Sequence, residues 1–145
     1  MGNLSKDIQS RFPNEKVKAL INILYTANWI TSVQNTFFKP FGISPQQYNI
    51  LRILNGAHQP LKVQTIKERM IDRAPNATRL MDKLCAKKLI ERIPSETDRR
   101  VVHIIITEEG KALISTIGSD LNISLVDNIS EQEALELNNL LDKMR

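Results

Sequence analysis

The chain has one cysteine, two histidines and five glycines among 145 residues, and aromatic side chains make up only 5% of it. A single thiol excludes a disulfide framework within the chain. One cysteine and two distant histidines are also too few soft ligands for a zinc site, so no metal and no cofactor are expected. No apolar run reaches the roughly 18 residues of a membrane span. The opening Met1-Gly2-Asn3-Leu4-Ser5-Lys6 lacks the basic-then-apolar order of a secretory leader. The expectation is a soluble, cytoplasmic protein. A Gly-rich phosphate loop, a Gly-x-Ser-x-Gly elbow, a Cys/His cluster and an obvious acid pair are all missing, so no catalytic residue is nominated. Cys85 with His58 or His103 is a dyad in principle only, because His103 interrupts an apolar strand where a packed histidine is the simpler reading.

A length of 145 residues fits one domain of ordinary size with a real core. The net charge of +4 is unevenly spread. Residues 1–60 carry a net +4, residues 61–100 a net +5 and residues 101–145 a net −5. A basic middle beside an acidic tail suggests that one surface meets a polyanion and another does not. A solvated, decorated face is the plainer alternative.

Hydrophobic spacing orders the chain into elements. Residues 14–38 read as a long helix, with Val17, Leu20, Ile21 and Leu24 at three-to-four spacing. Ile23, Trp29, Ile30, Val33, Phe37 and Phe38 widen its apolar surface beyond one stripe, which calls for burial on more than one side. Ser44-Pro45-Gln46-Gln47 is a helix start, and the helix is expected to end near Asn55-Gly56. Val63, Ile66 and Met70 mark a short helix, a turn follows over residues 72–76, and a further helix is expected over residues 75–88. Two short helices joined tightly have the spacing of a helix-turn-helix. Strands are expected at residues 89–93 and 101–106, with the polar run Pro94 to Arg100 as a hairpin tip. Thr107 starts a helix carried on by Leu113, Ile114, Ile117, Leu121 and Leu125, and Ser130 to Glu133 is a capping box opening the last helix. The class is mainly α (α+β): a winged helix-turn-helix with terminal helices that pack across a two-fold axis.

Within residues 75–88, Asn76, Arg79, Lys83 and Lys87 form a polar, basic stripe opposite Ala77, Leu80, Met81 and Leu84. A helix in a major groove needs such a division. Arg79 matches guanine O6 and N7, Asn76 suits adenine, and Thr78 suits a phosphate. On the hairpin tip, Asp98-Arg99-Arg100 presents two guanidinium groups on a thin projection, which suits a narrow minor groove. Asp98 is placed to hold Arg100 extended. Taken singly, each feature also reads as an ordinary solvated surface.

The run Thr78-Arg79-Leu80-Met81-Asp82-Lys83-Leu84-Cys85-Ala86-Lys87-Lys88-Leu89-Ile90-Glu91-Arg92, followed by Asp98-Arg99-Arg100 and Ile106-Thr107-Glu108-Glu109-Gly110, resembles the MarR (multiple antibiotic resistance regulator) family. Ile43-Ser44-Pro45-Gln46-Gln47-Tyr48-Asn49-Ile50-Leu51 resembles the same family's helix ahead of the reading head. The resemblance implies one domain over residues 1–145, with dimerisation helices at about 10–38 and 112–145 and a winged helix-turn-helix at about 43–110. It implies a homodimeric regulator that binds double-stranded DNA, with segment 75–83 in the major groove, Arg100 in the minor groove and Asp98 orienting it. The expected DNA-binding set is Arg73, Pro75, Asn76, Thr78, Arg79, Lys83, Asp98, Arg99 and Arg100, with phosphate contacts from Lys62, Lys67, Arg69, Arg73 and Lys83. It also implies response to a small aromatic or anionic effector, with Tyr25, Trp29, Phe37 and His58 as candidate contacts beside the plainer reading of core or interface. Two departures stand out. Lys88 replaces the family's usual glycine, and Pro75-Asn76 is an uncommon start for the reading helix. Two alternatives stay open: a thiol-based redox sensor using Cys85, and a wing-fold interaction module without DNA binding.

Overall fold

The computed structural model describes residues 2–73 and 75–145, which fall into two compact units divided after Pro45. Ala74, inside the expected turn, lies outside the described residues. The N-terminal unit holds a short α1 (Leu4–Asp7) and a long α2 (Glu15–Phe38). The Asn14 side chain caps α2 by accepting from the Val17 N–H at 3.0 Å. A 3-10 turn at Lys39–Phe41 and a left-handed Gly42 stop it. Phe37 packs edge-on against Phe38, with ring centres 5.2 Å apart, and lies 5.6 Å from Phe41. Val17, Leu20, Leu24, Tyr25 and Trp29 remain exposed along α2.

The second unit builds on α3 (Pro45–Ala57), which buries Tyr48, Ile50, Leu51 and Leu54. This helix runs through Gly56 rather than ending there. The reversal falls on His58, at φ 52. Gln59 precedes Pro60, which bars it from helical backbone, so the chain turns one residue earlier. A two-residue strand β1 (Leu61–Lys62) follows, too short for any sequence period to reveal. Then come α4 (Val63–Arg69) and α5 (Ala77–Ala86).

The reading helix is shorter at both ends than the sequence suggests. Asn76 is the N-cap residue at φ −93 and ψ 17, outside helical backbone, so Pro75 belongs to the turn and Ala77, buried, begins the helix. At the other end the Leu89 N–H bonds the Leu84 carbonyl at 3.0 Å and the Lys88 N–H bonds the Cys85 carbonyl at 2.9 Å. That pair of bonds is a Schellman cap, with Lys88 in the left-handed position at φ 59. Lys87 is therefore the C-cap and not a helical member of the basic stripe.

Strands β2 (Ile90–Pro94) and β3 (Val102–Ile106) form the wing hairpin. The sheet order is β1-β3-β2, all antiparallel, with Leu61 opposite Ile104 and Arg92 opposite Ile104 on the other side. Ile104, Ile90, Met81, Leu84, Ile66, Ile50 and Leu51 are almost wholly removed from solvent and form the centre of this unit's core. Thr107 caps α6 (Glu108–Ile117) by accepting from the Gly110 N–H at 3.1 Å, and its hydroxyl donates to the Lys88 carbonyl at 2.7 Å. The helix expected to continue through Leu125 breaks at Gly118 (φ 66, ψ −164), a backbone geometry reserved for glycine. Two helices follow, α7 (Asp120–Ser124) and α8 (Glu131–Met144). Helix α8 opens on the capping box read from Ser130 and Glu133. The result is a mainly helical winged helix-turn-helix with a small three-stranded sheet.

Candidate nucleic-acid interface

Helix α5 is fixed to its unit by its apolar side. Ala77, Met81 and Leu84 are all at most 1% exposed. Three polar contacts fix its direction. Buried Gln47 donates through Nε2 to the Leu80 carbonyl at 3.5 Å. Asn49 Oδ1 accepts from the Ile71 N–H at 2.9 Å, tying the turn ahead of α5 to α3. The Arg92 guanidinium on β2 pairs with the Asp82 carboxylate on α5. None of these three was singled out from the sequence. The last sits inside the run that carries the family resemblance, so the signal was present but not yet spatial.

The opposite side of α5 is free. Thr78, Arg79 and Lys83 are exposed, as are Arg73, Pro75 and Asn76 in the turn before it. Arg73, Arg79 and Lys83 make no ion pair with any described residue. Unpaired guanidinium and ammonium groups on one rigid face hold positive potential ready for a polyanion. Lys62 and Arg69 are exposed nearby in sequence, and Lys67 is half-buried. Lys67 and Arg73 line a cleft of about 410 Å³ together with Glu68 and Asp72. Glu68 there accepts from Gln64 Nε2 at 3.0 Å.

The wing tip closes by backbone bonds from Ser95 N–H to the Val101 carbonyl, 2.9 Å, and from Val101 N–H to the Asp98 carbonyl, 3.0 Å. Asp98 contacts Arg100 through the backbone. Its Oδ1 accepts from the Arg100 backbone N–H at 3.0 Å, and no ion pair among the described residues joins it to the Arg100 guanidinium. A carboxylate two residues ahead of an N–H closes an Asx turn more readily than it reaches a long side chain. Asp98 therefore shapes the backbone that carries Arg100. Arg99 and Arg100 project, both exposed.

The four effector candidates do not form one cluster within either unit. Tyr25 and Trp29 are exposed on α2, while Phe37 is half-buried in its ring contacts with Phe38 and Phe41, a packing role. His58 lies in the other unit, lining a pocket of about 290 Å³ with Leu54, Pro60, Ile105, Ile106 and Lys111. Cys85 is half-buried, and burial pushes its thiol above the usual range. The charge of Arg92 lowers it and that of Asp82 raises it, both by less than burial does. A thiol moved in that direction holds little thiolate at neutral pH, the reverse of what an oxidant sensor needs. Among the described residues, no helix is long and apolar enough to cross a membrane.

Comparison with known proteins agrees with this geometry. The MarR family model matches residues 43–102, from just ahead of α3 to the first residue of β3. The multiple antibiotic resistance protein MarR of Salmonella typhimurium is 30% identical over 114 residues, covering 76% of this chain and 78% of that protein. The HTH-type transcriptional regulator MhqR of Bacillus subtilis is 32% identical over 111 residues, covering 74% and 75%. Among solved structures, a mutant MarR from Escherichia coli complexed with operator DNA superposes with a TM-score of 0.78 at 26% identity, covering 93% of this chain and 99% of that one. With the helix-turn-helix, the wing and a relative of this identity across three quarters of both chains, the chain is a member of the MarR family of winged helix-turn-helix transcription regulators.

Proposed function

We propose that this protein is a sequence-specific regulator that binds double-stranded DNA as a homodimer, with α5 in the major groove and the Arg99-Arg100 wing tip in the minor groove. The observation that carries the reading is the two-sidedness of α5: an apolar face at most 1% exposed, and a face of exposed Thr78, Arg79 and Lys83 without ion-pair partners among the described residues. Asn76, Pro75 and Arg73 sit at the end of the helix that enters first. Arg79 and Asn76 are the base readers, Arg100 is the minor-groove contact, and Lys62, Lys67, Arg69, Arg73 and Lys83 supply phosphate contacts. The complex of the Escherichia coli relative with operator DNA supports this placement.

The dimer is supported by apolar surface that each unit leaves open. Leu20, Leu24 and Trp29 on α2 are about half exposed, and so are Leu137, Leu140 and Met144 on α8. Monomeric proteins seldom leave such faces to water. Two copies related by a two-fold would set their reading helices roughly 34–36 Å apart and demand a pseudo-palindromic site. Bound there, in the cytoplasm, the protein acts as a repressor. A small aromatic or anionic effector would release it by binding unequally to two spacings of the reading heads. The pocket at His58 supports the effector part; Tyr25 and Trp29 are better accounted for by the dimer face.

The test is binding to duplexes selected from random sequence, followed by fluorescence anisotropy at two salt concentrations. Arg79→Ala is expected to cost about 1–3 kcal/mol and to relax sequence preference, while Lys83→Ala lowers affinity evenly and flattens the salt slope by about one. Equal, weak binding of selected and random duplexes, or a monomer at every concentration in sedimentation, would overturn the reading. An unchanged affinity in Arg100→Ala would favour the interaction-module alternative.

A further inference from the structure

Among the described residues, Ile71 is the most exposed large hydrophobic side chain: 90%, against 62% for the next, Leu140. A single exposed isoleucine is ordinary, so its place must decide the matter. Most of the other exposed large apolar side chains line α2 or follow residue 117, where they make up extended faces. Ile71 stands apart from them, in the turn between α4 and α5. It is flanked by buried Met70, at 5% exposure, and by exposed Asp72 and Arg73.

The backbone there is anchored. Asn49 Oδ1 holds the Ile71 N–H at 2.9 Å, so the side chain projects from a fixed point. Isoleucine is branched at Cβ and stiff at χ1, so little rotamer freedom remains to be lost on contact. This turn leads into the N-terminal end of α5, the end that enters a groove first. Asp72 lines the same cleft as Lys67 and Arg73. Ile71 itself offers nothing to a phosphate or to a polar base edge. The apolar group that B-DNA displays in the major groove is the 5-methyl of thymine.

We propose that Ile71 is a specificity-determining residue that reads the 5-methyl group of one thymine per half-site, flanking the bases reached by Asn76 and Arg79. This rests on the placement of α5 proposed above. The test uses the full chain and a selected duplex in which each thymine is replaced in turn by deoxyuridine, which removes the methyl and nothing else.

With the wild type, one position per half-site is expected to lose about fourfold in affinity, the effect of exposing one buried methyl. Ile71→Ala is expected to bind the thymine duplex more weakly by at least that factor and to be indifferent to deoxyuridine at that position. Ile71→Val should keep most of the discrimination. Circular dichroism and thermal melting should be unchanged in both variants, because the side chain touches solvent almost everywhere. The inference is overturned if Ile71→Ala binds as well as the wild type. It is also overturned if that variant loses affinity while still discriminating thymine from deoxyuridine at the same position, which indicates a sugar contact or a structural effect. Arg79→Ala measured in parallel separates the two levels. Loss with Arg79→Ala but not with Ile71→Ala removes only the role of Ile71. No loss with either removes the placement of α5 as well.

Discussion

Gly110 offers a sharp check on the packing, because one methyl group tests it. A Cβ added at Gly110 would lie 2.3 Å from the Leu89 carbonyl oxygen and 2.7 Å from Ile106 Cγ1. The first of these is backbone and cannot swing away. That same carbonyl accepts from the Thr107 N–H at 3.1 Å, and the neighbouring Lys88 carbonyl accepts from the Thr107 hydroxyl at 2.7 Å. Relieving the clash must shift α6 away from the start of the wing hairpin by about 1 Å and stretch those bonds. Overpacking of this kind costs ~1–3 kcal/mol, and weakening one hydrogen bond adds ~0.5–1.5 kcal/mol. Against this, alanine is better than glycine inside a helix by ~1 kcal/mol. Gly110→Ala is therefore expected to destabilise by about 2 kcal/mol, lowering Tm by about 4–8 °C. Gly56→Ala is the matched control. Gly56 also lies in a helix, but its Cβ would meet nothing within 4 Å, so only the helix-propensity gain applies. It should stabilise by about 0.5–1 kcal/mol. Urea titrations and thermal melts at one fixed protein concentration measure both, since a dimer's Tm moves with concentration. If Gly110→Ala melts with the wild type, or if the two variants shift in the same direction, the close approach of α6 to Leu89 is wrong.

Other predictions follow from single observations. Lys88→Gly should stabilise by roughly 0.5 kcal/mol or more, because Lys88 holds φ 59 in a Schellman cap where a side chain is strained; a loss of stability in urea would refute that account. Cys85 should react with iodoacetamide more slowly than a free thiol at pH 8, because burial raises its pKa, and Arg92→Met should slow it further by removing a charge that favours the thiolate; rapid labelling of the native protein would contradict the geometry. The Ser130 backbone and hydroxyl hydrogen bonds hold the Glu133 carboxyl below its usual range. A folded pKa depressed in this way gives stability that is complete above the ordinary glutamate pKa and fades as pH falls through the folded value. Glu133→Gln should therefore narrow the difference in Tm between pH 6 and pH 3, and an unchanged difference would count against the capping box.

The sequence pattern departs from the structure at particular residues. It missed β1 because two residues, Leu61 and Lys62, carry no period, and they became a strand only by pairing with β3. It ended α3 at Gly56, whereas Pro60 two residues beyond the true reversal set the end at His58. It ran one helix past Gly118, where hydrophobic spacing continues but the backbone turns to φ 66. It placed Asp98 as the partner that holds Arg100, and the structure supplies the atom through which Asp98 touches it, the Arg100 backbone N–H. For Phe37 it held a ligand contact beside the plainer reading of core or interface, and the ring contacts with Phe38 and Phe41 accord with the plainer one.

What the amino-acid sequence determined by itself depends on neighbours along the chain. The period of apolar residues set the type of each longer element, capping residues set several starts, and the charge distribution with the Thr78–Arg92 run set the class of function. Tertiary structure alone decided what depends on residues brought together from afar. Asn49 reaches the turn at Ile71, Gln47 reaches α5, Arg92 reaches Asp82, and Leu89 leaves room only for a glycine at 110. Spacing is a one-dimensional property that a helix or strand converts directly into a face. The aim of a reading head is three-dimensional, held by contacts whose partners lie 10 to 33 residues apart in the chain, and no local pattern records them.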